Sequence, residues 1–276
     1  MQLKHSRILL TGATGGLGQA LAHALAAQGA NLLLTGRDAT RLNTCAAALQ
    51  GKTAVIHTLC ADLTRPEDVA RVAEAARVFG VNVLINNAGI NAFNLYEDED
   101  WQTIEQVMTT NLIAPMQLTH ALLPWLKNNS APHNPAAAVV FIGSTFGSLP
   151  FPAFAAYSSA KAGLRGFSQA LRRELTQTSA MARPVAVIYI APRTIATALN
   201  STAVNALNQA MGNVADSPEH VADQIVAALL RDRSELHLGF PERFFAWLNG
   251  CAPALIDLAL RRQLTTIKHH AQKVIS

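Results

Sequence analysis

Short apolar segments alternate with longer segments of helical periodicity along most of this 276-residue chain. This alternation constrains the fold more than any other feature of the sequence. Near-continuous apolar runs are typical of parallel strands whose two faces are both covered by helices. The pattern therefore predicts an α/β fold with a doubly wound parallel sheet. The predicted strands are residues 7–12, 31–36, 54–63, 81–89, 137–144, 184–192 and, as a seventh, 235–239.

Helical periodicity fills most of the intervals between these strands. The first helix ends before Gly29, and Ser217, which precedes a proline, is the predicted cap of a later helix. Segment 193–216 is polar and has no clear period, which leaves two alternatives, a mobile lid or a disordered connector. The remaining predictions are a surface loop at 128–137 and helices at 66–79, 98–127 and 156–178.

A glycine-rich loop, TGATGGLG, lies at 11–18 between the first strand and the first helix. At such a position, missing side chains allow backbone N–H groups and the positive end of the helix to approach a pyrophosphate. The loop therefore predicts a dinucleotide-binding domain of the Rossmann type. The glycines that we expect to contribute are Gly12, Gly16 and Gly18. The same stretch also satisfies a second spacing through Gly12, Gly15 and Gly18, which is typical of larger sugar-nucleotide enzymes; the short remainder of the chain argues against it.

The end of the second strand indicates which dinucleotide is bound. An acidic residue at this position binds the hydroxyl groups of the adenosine ribose, whereas an arginine accepts a 2′-phosphate. Here the strand ends in Thr35-Gly36-Arg37 and carries no acid. We therefore expect NADP(H) rather than NAD(H). The alternative makes Arg37 an ordinary exposed arginine and Asp38 the cap of the next helix.

The segment YSSAK at 157–161 places a phenol and an ammonium group on one face of a predicted helix. A free tyrosine has a pKa of about 10 and is a poor base near neutrality. An adjacent ammonium group favours the phenolate, so we expect Lys161 to lower the pKa of Tyr157. The phenol could then exchange a proton with a substrate oxygen.

Several motifs in a fixed order resemble the classical short-chain dehydrogenase/reductase family over residues 5–192. They are TGATGGLG, Asp62 after the third strand, NNAG at 86–89, Asn111, Ser144 and the YxxxK pattern at 157–161. Each motif alone is unspecific, but their joint order is not. The resemblance implies a reductase that converts a ketone to a secondary alcohol, or catalyses the reverse reaction; we expect the ketone to be apolar or acyl in character. A non-catalytic NADPH-binding sensor or interaction protein of the same fold is the alternative.

The family resemblance also implies roles for individual catalytic residues. Tyr157 would be the general acid in reduction and the base in oxidation, and Lys161 would hold the nicotinamide ribose. Ser144 would hydrogen-bond the substrate oxygen. Asn111 would position a water that connects Lys161 to solvent. Taken singly, Ser144 and Asn111 could each instead have only a structural role.

The implied cofactor site extends along the carboxyl ends of the strands. Asp62 would meet the adenine ring, and Thr197, after the sixth strand, would reach the carboxamide. Residues 87–89 would line the cofactor and brace the fourth strand. The full expected set is Gly12, Thr14, Gly16, Leu17, Gly18, Arg37, Asp62, Leu63, Asn87, Ala88, Gly89, Tyr157, Lys161 and Thr197.

Two regions depart from the family pattern. Pro192-Arg193 stands where the family commonly has Pro-Gly, which makes an extra charge available near the nicotinamide. The chain ending that supports family tetramers is replaced by a longer tail, so we expect a homodimer. We divide the chain into a Rossmann-type domain at 1–240 and a helical extension at 241–276.

Composition excludes several classes of function. The net charge of +4 arises after residue 257, and the preceding chain is neutral, so no nucleic-acid partner is expected. Three separated cysteines and nine histidines form no metal-binding motif, so we expect no metal. The start of the chain has too short an apolar stretch for a signal peptide, and a cytoplasmic location is expected.

Two apolar groups remain to be assigned. One lies between Ser144 and Tyr157 and forms either a substrate wall or ordinary packing: Phe146, Leu149, Phe151 and Phe154. The other is a stripe in the tail that docks on the body or a second subunit, or attaches the chain to an anionic membrane surface. Its residues are Ile256, Leu260, Leu264, Ile267, Ala271 and Val274.

Overall fold

The computed structural model describes residues 1–51, 55–128, 137–176, 185–231 and 233–272. Within these ranges seven parallel strands form one sheet in the order β3-β2-β1-β4-β5-β6-β7. The predicted fold class is therefore confirmed. The strands are β1 (Arg7–Leu10), β2 (Asn31–Gly36), β3 (Ile56–Cys60), β4 (Val83–Asn86), β5 (Ala138–Ile142), β6 (Ala186–Ala191) and β7 (Glu235–His237).

Helices cover both faces of the sheet, because alternate strand residues point to opposite sides. Helices α1, α2 and α8 pack on one face, whereas α3, α5 and α6 pack on the other. The helices are α1 (Gly16–Ala27), α2 (Ala39–Ala48), α3 (Pro66–Phe79), α4 (Trp101–Met108), α5 (Ala114–Asn128), α6 (Ala155–Glu174), α7 (Thr202–Ala210), α8 (Pro218–Leu230), α9 (Phe240–Cys251), α10 (Pro253–Arg261) and α11 (Leu264–Gln272).

The order of the strands reverses at β1, which pairs with β2 on one side and β4 on the other. The connections that leave β1 and β4 run to opposite faces of the sheet. A crevice therefore opens at the carboxyl ends of these two strands. In open α/β sheets, ligands bind at such a point. The fold thus places the glycine loop, which follows β1, at the mouth of a crevice.

Several local predictions need correction. The helix predicted at 98–127 is two helices, α4 and α5, joined by a π-helical turn at Thr109–Ile113, and it begins later because the Asp100 side chain caps it. Segment 193–216, which we call the lid segment, is not a disordered connector, since it contains α7 and its ends pair through Ile195 and Asp216; its mobility stays a prediction. β3 is an edge strand and is partly exposed, unlike the fully buried strand that was expected.

Some other predictions agree with the structure, and some concern residues outside the described ranges. Ser217 caps α8 by accepting a hydrogen bond from the backbone N–H of His220 at 3.2 Å, and Asp38 caps α2. Gly29, with a φ of 75°, follows the end of α1. Most of the predicted loop at 128–137, the last two residues of the helix predicted at 156–178, the first residue of two strands and Val274 lie outside the described residues.

The tail stripe packs on the body of the same chain. Ile267 and Ala271 of α11 are buried against Val204 and Leu207 of α7. Of the alternatives for this stripe, the structure therefore shows docking on the body. No helix in the described part of the chain is both long enough and apolar enough to cross a bilayer.

Candidate active site

A cleft of about 890 Å³ lies at the carboxyl ends of the strands. It brings together every residue of the expected cofactor site and three of the four expected catalytic residues. Asn111 does not line it. The sequence-predicted residues along its wall are Gly12, Thr14, Gly16, Leu17, Gly18, Arg37, Asp62, Leu63, Asn87, Ala88, Gly89, Ser144, Tyr157, Lys161 and Thr197.

The glycine loop leaves the first turn of α1 open to the cleft. Gly12 has a φ of 65°, and a Cβ there would lie 2.7 Å from Ala88 Cα. A Cβ at Gly18 would collide with the carbonyl oxygen of Gly12. The helix begins after Gly15 without a side-chain cap, so its first N–H groups have no side-chain partner. This arrangement fits an anionic ligand such as a pyrophosphate.

Asn87 links the end of β4 to the glycine loop. Its Nδ2 donates to the carbonyl oxygens of Thr11 at 2.9 Å and of Gly12 at 3.2 Å. Thr11 Oγ1 in turn accepts hydrogen bonds from the backbone N–H groups of Asn87 and Ala88, both at 3.0 Å. These bonds join the ends of the neighbouring strands β1 and β4 at the floor of the cleft.

Two arginines lie where β2 and α2 border the cleft. Arg37 is exposed at the end of β2, as the sequence predicts. Arg41, which sequence analysis missed, also lines the cleft, and its Nη2 donates to the carbonyl oxygen of Thr14 at 2.8 Å. Arg37 and Arg41 are four residues apart in the sequence, and this spacing could have indicated that Arg41 also faces the cleft. Together they form a positive end to the cleft.

Asp62 lies at the same end, after β3. Its Oδ1 accepts hydrogen bonds from the backbone N–H and the hydroxyl of Thr64, at 3.0 and 2.8 Å. Burial opposes ionisation of the carboxyl, but the two bonds from Thr64 and the charges of Arg37 and Arg65 outweigh it and lower the pKa. Asp62 is therefore ionised at neutral pH.

Tyr157 is positioned by α6 and Ser144 by the end of β5, and their side chains hydrogen-bond each other. Burial raises the pKa of the phenol, and the bond with Ser144 offsets this only in part. The expected lowering of this pKa is therefore wrong for the protein alone. The Lys161 ammonium group lies 5.7 Å from the centre of the phenol ring. The rings of Phe146 and Phe154 pack against the same phenol ring.

Lys161 is buried one turn further along α6. Its Nζ donates to the carbonyl oxygen of Ile142 at 3.0 Å. Burial lowers the pKa of this amine to about 8. At neutral pH the group is still mainly a cation, and it is one that a proton-transfer site could use.

Asn111 lies behind the cleft, in the π-helical turn. Its Oδ1 accepts from the backbone N–H of Ile90 at 3.0 Å, and its Nδ2 donates to the carbonyl oxygen of Ile90 at 2.8 Å. A Cβ at Gly89 would lie 2.9 Å from Asn111 Oδ1 and 3.6 Å from Lys161 Nζ. Asn111 thus holds the backbone beside Lys161 from the far side.

Aromatic side chains form the wall beside Tyr157. Phe146 stacks on Phe151 with ring centres 5.2 Å apart, and Phe154 contacts both. Together with Leu149 these rings line the cleft and also pack against one another. They therefore serve as packing and as an apolar wall at once.

Another wall comes from the segment after β6 and from the C-terminal helices. Its charged members are Arg193, whose charge was expected near the nicotinamide, and Glu242, which sequence analysis missed; they lie 3.8 Å apart. The apolar members from the lid segment and the C-terminal helices had no motif to reveal them. They include Leu199, Val204, Leu207, Phe245, Ile256 and Leu260.

Known proteins resemble this chain over most of its length. A family model for short chain dehydrogenases matches residues 6–208. The chain is 34% identical over 268 residues to dehydrogenase/reductase SDR family member 7B of Bos taurus, covering 92% of this chain and 79% of that protein. These matches include the strands and loops that form the cleft.

Two solved structures are also similar. One is a short-chain dehydrogenase from Sphingobium yanoikuyae in complex with NADPH, at 27% identity and a TM-score of 0.74, covering 91% of this chain and 95% of that one. The other is a bulky-bulky ketone specific alcohol dehydrogenase from Comamonas testosteroni, at 25% identity and a TM-score of 0.74, covering 91% and 94%.

Proposed function

The chain belongs to the short-chain dehydrogenase family, and from this premise we propose that it is an NADP(H)-dependent oxidoreductase that reduces a ketone to a secondary alcohol or catalyses the reverse. The observation that carries the proposal is the meeting of Tyr157, Ser144 and Lys161 in one cleft whose far end holds Arg37. The similar Sphingobium protein was solved with NADPH, which supports the choice of cofactor class.

The cofactor would lie along the carboxyl ends of the strands. The open N–H groups of α1 would hold the pyrophosphate, Arg37 the 2′-phosphate, and Asp62 with Leu63 the adenine ring. Thr197 would hold the carboxamide; it lines the cleft and packs close to the glycine loop, where a Cβ at Gly16 would lie 2.8 Å from its Cγ2. When bound, the reduced nicotinamide supplies the hydride.

Tyr157 would supply the proton. As the carbonyl carbon accepts a hydride, its oxygen gains negative charge and takes the phenol proton, while Ser144 donates a hydrogen bond to the same oxygen. The phenol is protonated at neutral pH in the protein alone, as the acid of a reduction requires.

The substrate class follows from the wall beside the acid. Phe146, Phe151 and Phe154 offer an apolar surface that favours an aliphatic or aromatic ketone, or an acyl compound, over a sugar. The similar Comamonas protein is described as specific for bulky ketones, which agrees with this choice. We propose a ketone with at least one large apolar substituent.

The test is the oxidation of NADPH by purified protein with a panel of apolar ketones, compared with a Tyr157→Phe variant. We expect the variant to bind NADPH as the wild type does but to lose at least about a hundredfold in kcat, because only the proton donor is removed. Ser168→Ala is a control, since Ser168 lies inside α6 and donates to the carbonyl oxygen of Arg165.

Two results would contradict the proposal. If the wild type binds NADPH but turns over no ketone, the non-catalytic sensor is the better assignment. If NADH gives a lower KM than NADPH, the cofactor preference is wrong. The homodimer, the cytoplasmic location and the division of the chain at residue 240 stay predictions.

A further inference from the structure

Helix α9 exposes an apolar face that has no partner in the described part of the chain. Phe240, Phe244 and Trp247 are spaced by four and three residues, so they share one side of the helix. Their exposed fractions are 80%, 49% and 62%. None of the twelve residues of α9 is buried. A surface helix ordinarily turns its apolar stripe to the core, so this orientation needs an explanation.

Two polar residues of α9 contact the body. Glu242 Oε1 lies 3.8 Å from Arg193 Nη1, and Asn249 Nδ2 donates to the carbonyl oxygen of Ser148 at 3.0 Å. Glu242 and Asn249 are seven residues apart and therefore also share one side of the helix. This side lies nearly opposite the side that carries Phe240, Phe244 and Trp247. The helix is held with its polar side inward, and this leaves the aromatic side outward.

The neighbouring helix, α10, also exposes apolar side chains. Leu255 and Leu258 of α10, which packs against α9, are also exposed. We call Phe240, Phe244, Trp247, Leu255 and Leu258 the apolar patch. Other residues of the same two helices line the cleft, among them Phe245, Ile256 and Leu260. The patch therefore adjoins the cleft in which the proposed reaction occurs.

We propose that the apolar patch docks on the surface of an anionic lipid bilayer, so that the cleft receives its apolar substrate from the membrane. The idea of a membrane-derived substrate rests on the proposed function, but the docking does not. Phenylalanine and tryptophan bind the boundary between headgroups and acyl chains. No residue crosses the bilayer in this arrangement.

Charge around the patch favours lipid over a second copy of the chain. Arg243 lies beside the aromatic stripe, and Arg261 and Arg262, exposed at the end of α10, outnumber Asp257, the exposed acid of that helix. These cations would meet lipid phosphates favourably. A twofold dimer built on this patch would bring both copies of these cations into one interface without the anionic groups that lipid supplies.

Sedimentation with vesicles tests the proposal. At low salt we expect the full chain to pellet with vesicles of equal parts phosphatidylcholine and phosphatidylglycerol, and less with phosphatidylcholine alone. A Phe244→Ser/Trp247→Ser variant should partition at least about tenfold more weakly. Trp101→Ser is the matched control, since Trp101 is 63% exposed on α4, away from the patch. It should partition as the wild type does.

A second measurement covers the case in which the double variant does not fold. Brominated lipids should quench the tryptophan fluorescence of the wild type, and Trp247→Phe should remove most of this quenching. The proposal is overturned if the wild type stays in the supernatant, if Trp101→Ser loses as much binding as the double variant, or if the double variant instead abolishes a dimer.

Turnover separates this inference from the proposed function. With a water-soluble ketone and no vesicles, the double variant should reduce the substrate as fast as the wild type, because neither residue lines the cleft. Vesicle binding without any turnover would leave the docking intact and reject the reductase.

Discussion

Lys161 is a buried cation that disfavours the folded state. Burial lowers its pKa to about 8, from 10.5 in the unfolded chain. Between these values the unfolded chain holds a proton that the folded chain has lost, so the contribution of Lys161 to stability rises with pH across this window. A residue that the proposed reaction needs thus weakens the protein alone at neutral pH.

Replacing this lysine should therefore stabilise the protein. We expect Lys161→Met to raise the free energy of unfolding at pH 7 by about 1–3 kcal/mol. This gain is smaller than the free energy that corresponds to the full pKa shift, because the carbonyl group of Ile142 loses its hydrogen-bond donor. The gain should shrink toward pH 10. Urea denaturation at several pH values measures it. Lys268→Met, at an exposed lysine, should show no such trend, and a pH-independent gain would refute the explanation.

Arg37 tests the proposed cofactor preference at a single side chain. Because a guanidinium group pairs with a 2′-phosphate that NADH lacks, Arg37→Ala should raise the KM for NADPH about tenfold or more and leave that for NADH within about twofold. Initial rates with both cofactors measure this. Arg173→Ala, at an exposed arginine of α6 outside the cleft, is the control. Equal losses with both cofactors would contradict a phosphate contact.

At the scale of elements, the short strand β7 holds α6 in place through Glu235. The carboxylate accepts hydrogen bonds from Arg165 Nε at 2.9 Å and Gln169 Nε2 at 3.1 Å, both on the helix that carries Tyr157 and Lys161. The contact with His237, followed by those with Gln169 and Arg165, lowers the pKa of Glu235 to about 2. The strand thus anchors α6 through this carboxylate.

This anchor predicts a dependence of stability on pH. We expect Glu235→Gln to lower the free energy of unfolding by about 1–2 kcal/mol at pH 7. The folded-state pKa lies below the ordinary 4.5, so the contribution is present above pH 4.5 and is lost as the pH falls toward 2. The difference from the wild type should shrink progressively over that range.

Thermal unfolding of both proteins from pH 7 down to about pH 3 measures this difference. Glu74→Gln is the matched control, since Glu74 pairs with Arg77 at 2.7 Å on the exposed surface. Exposed pairs of this kind contribute little. If both substitutions cost the same, Glu235 is not an anchor.

Elements with local signals could be predicted from the sequence, and those set by distant contacts could not. The sheet, the glycine loop and the YxxxK helix follow from short-range patterns, and the family resemblance is confirmed. The raised pKa of Tyr157 depends on burial among rings that sequence spacing does not reveal. Similarly, the orientation of α9 depends on Asn249 and Ser148, which are 101 residues apart.

At the scale of the whole molecule, Arg193 joins three parts that enclose the cleft. It follows β6, and its Nε and Nη2 donate to the two carboxylate oxygens of Asp216 at 2.7 and 2.6 Å. Asp216 closes the lid segment that carries α7, on which α11 packs. Arg193 also contacts Glu242 of α9. The three parts that it joins are therefore the end of β6, the lid segment and α9. The arginine that departs from the family pattern therefore couples the lid to the C-terminal helices.

Loss of this coupling should affect the substrate more than the cofactor. We expect Arg193→Ala to raise the KM for a ketone about tenfold, because the lid and α9 would close the cleft less often, while the Kd for NADPH changes within about threefold. Limited proteolysis should cut faster between residues 198 and 214. Arg65→Ala, which breaks an exposed pair with Glu67, should change none of these. If instead Arg193→Ala weakens NADPH and ketone binding alike, or leaves the lid equally resistant to protease, the arginine serves only local packing and the three parts close independently.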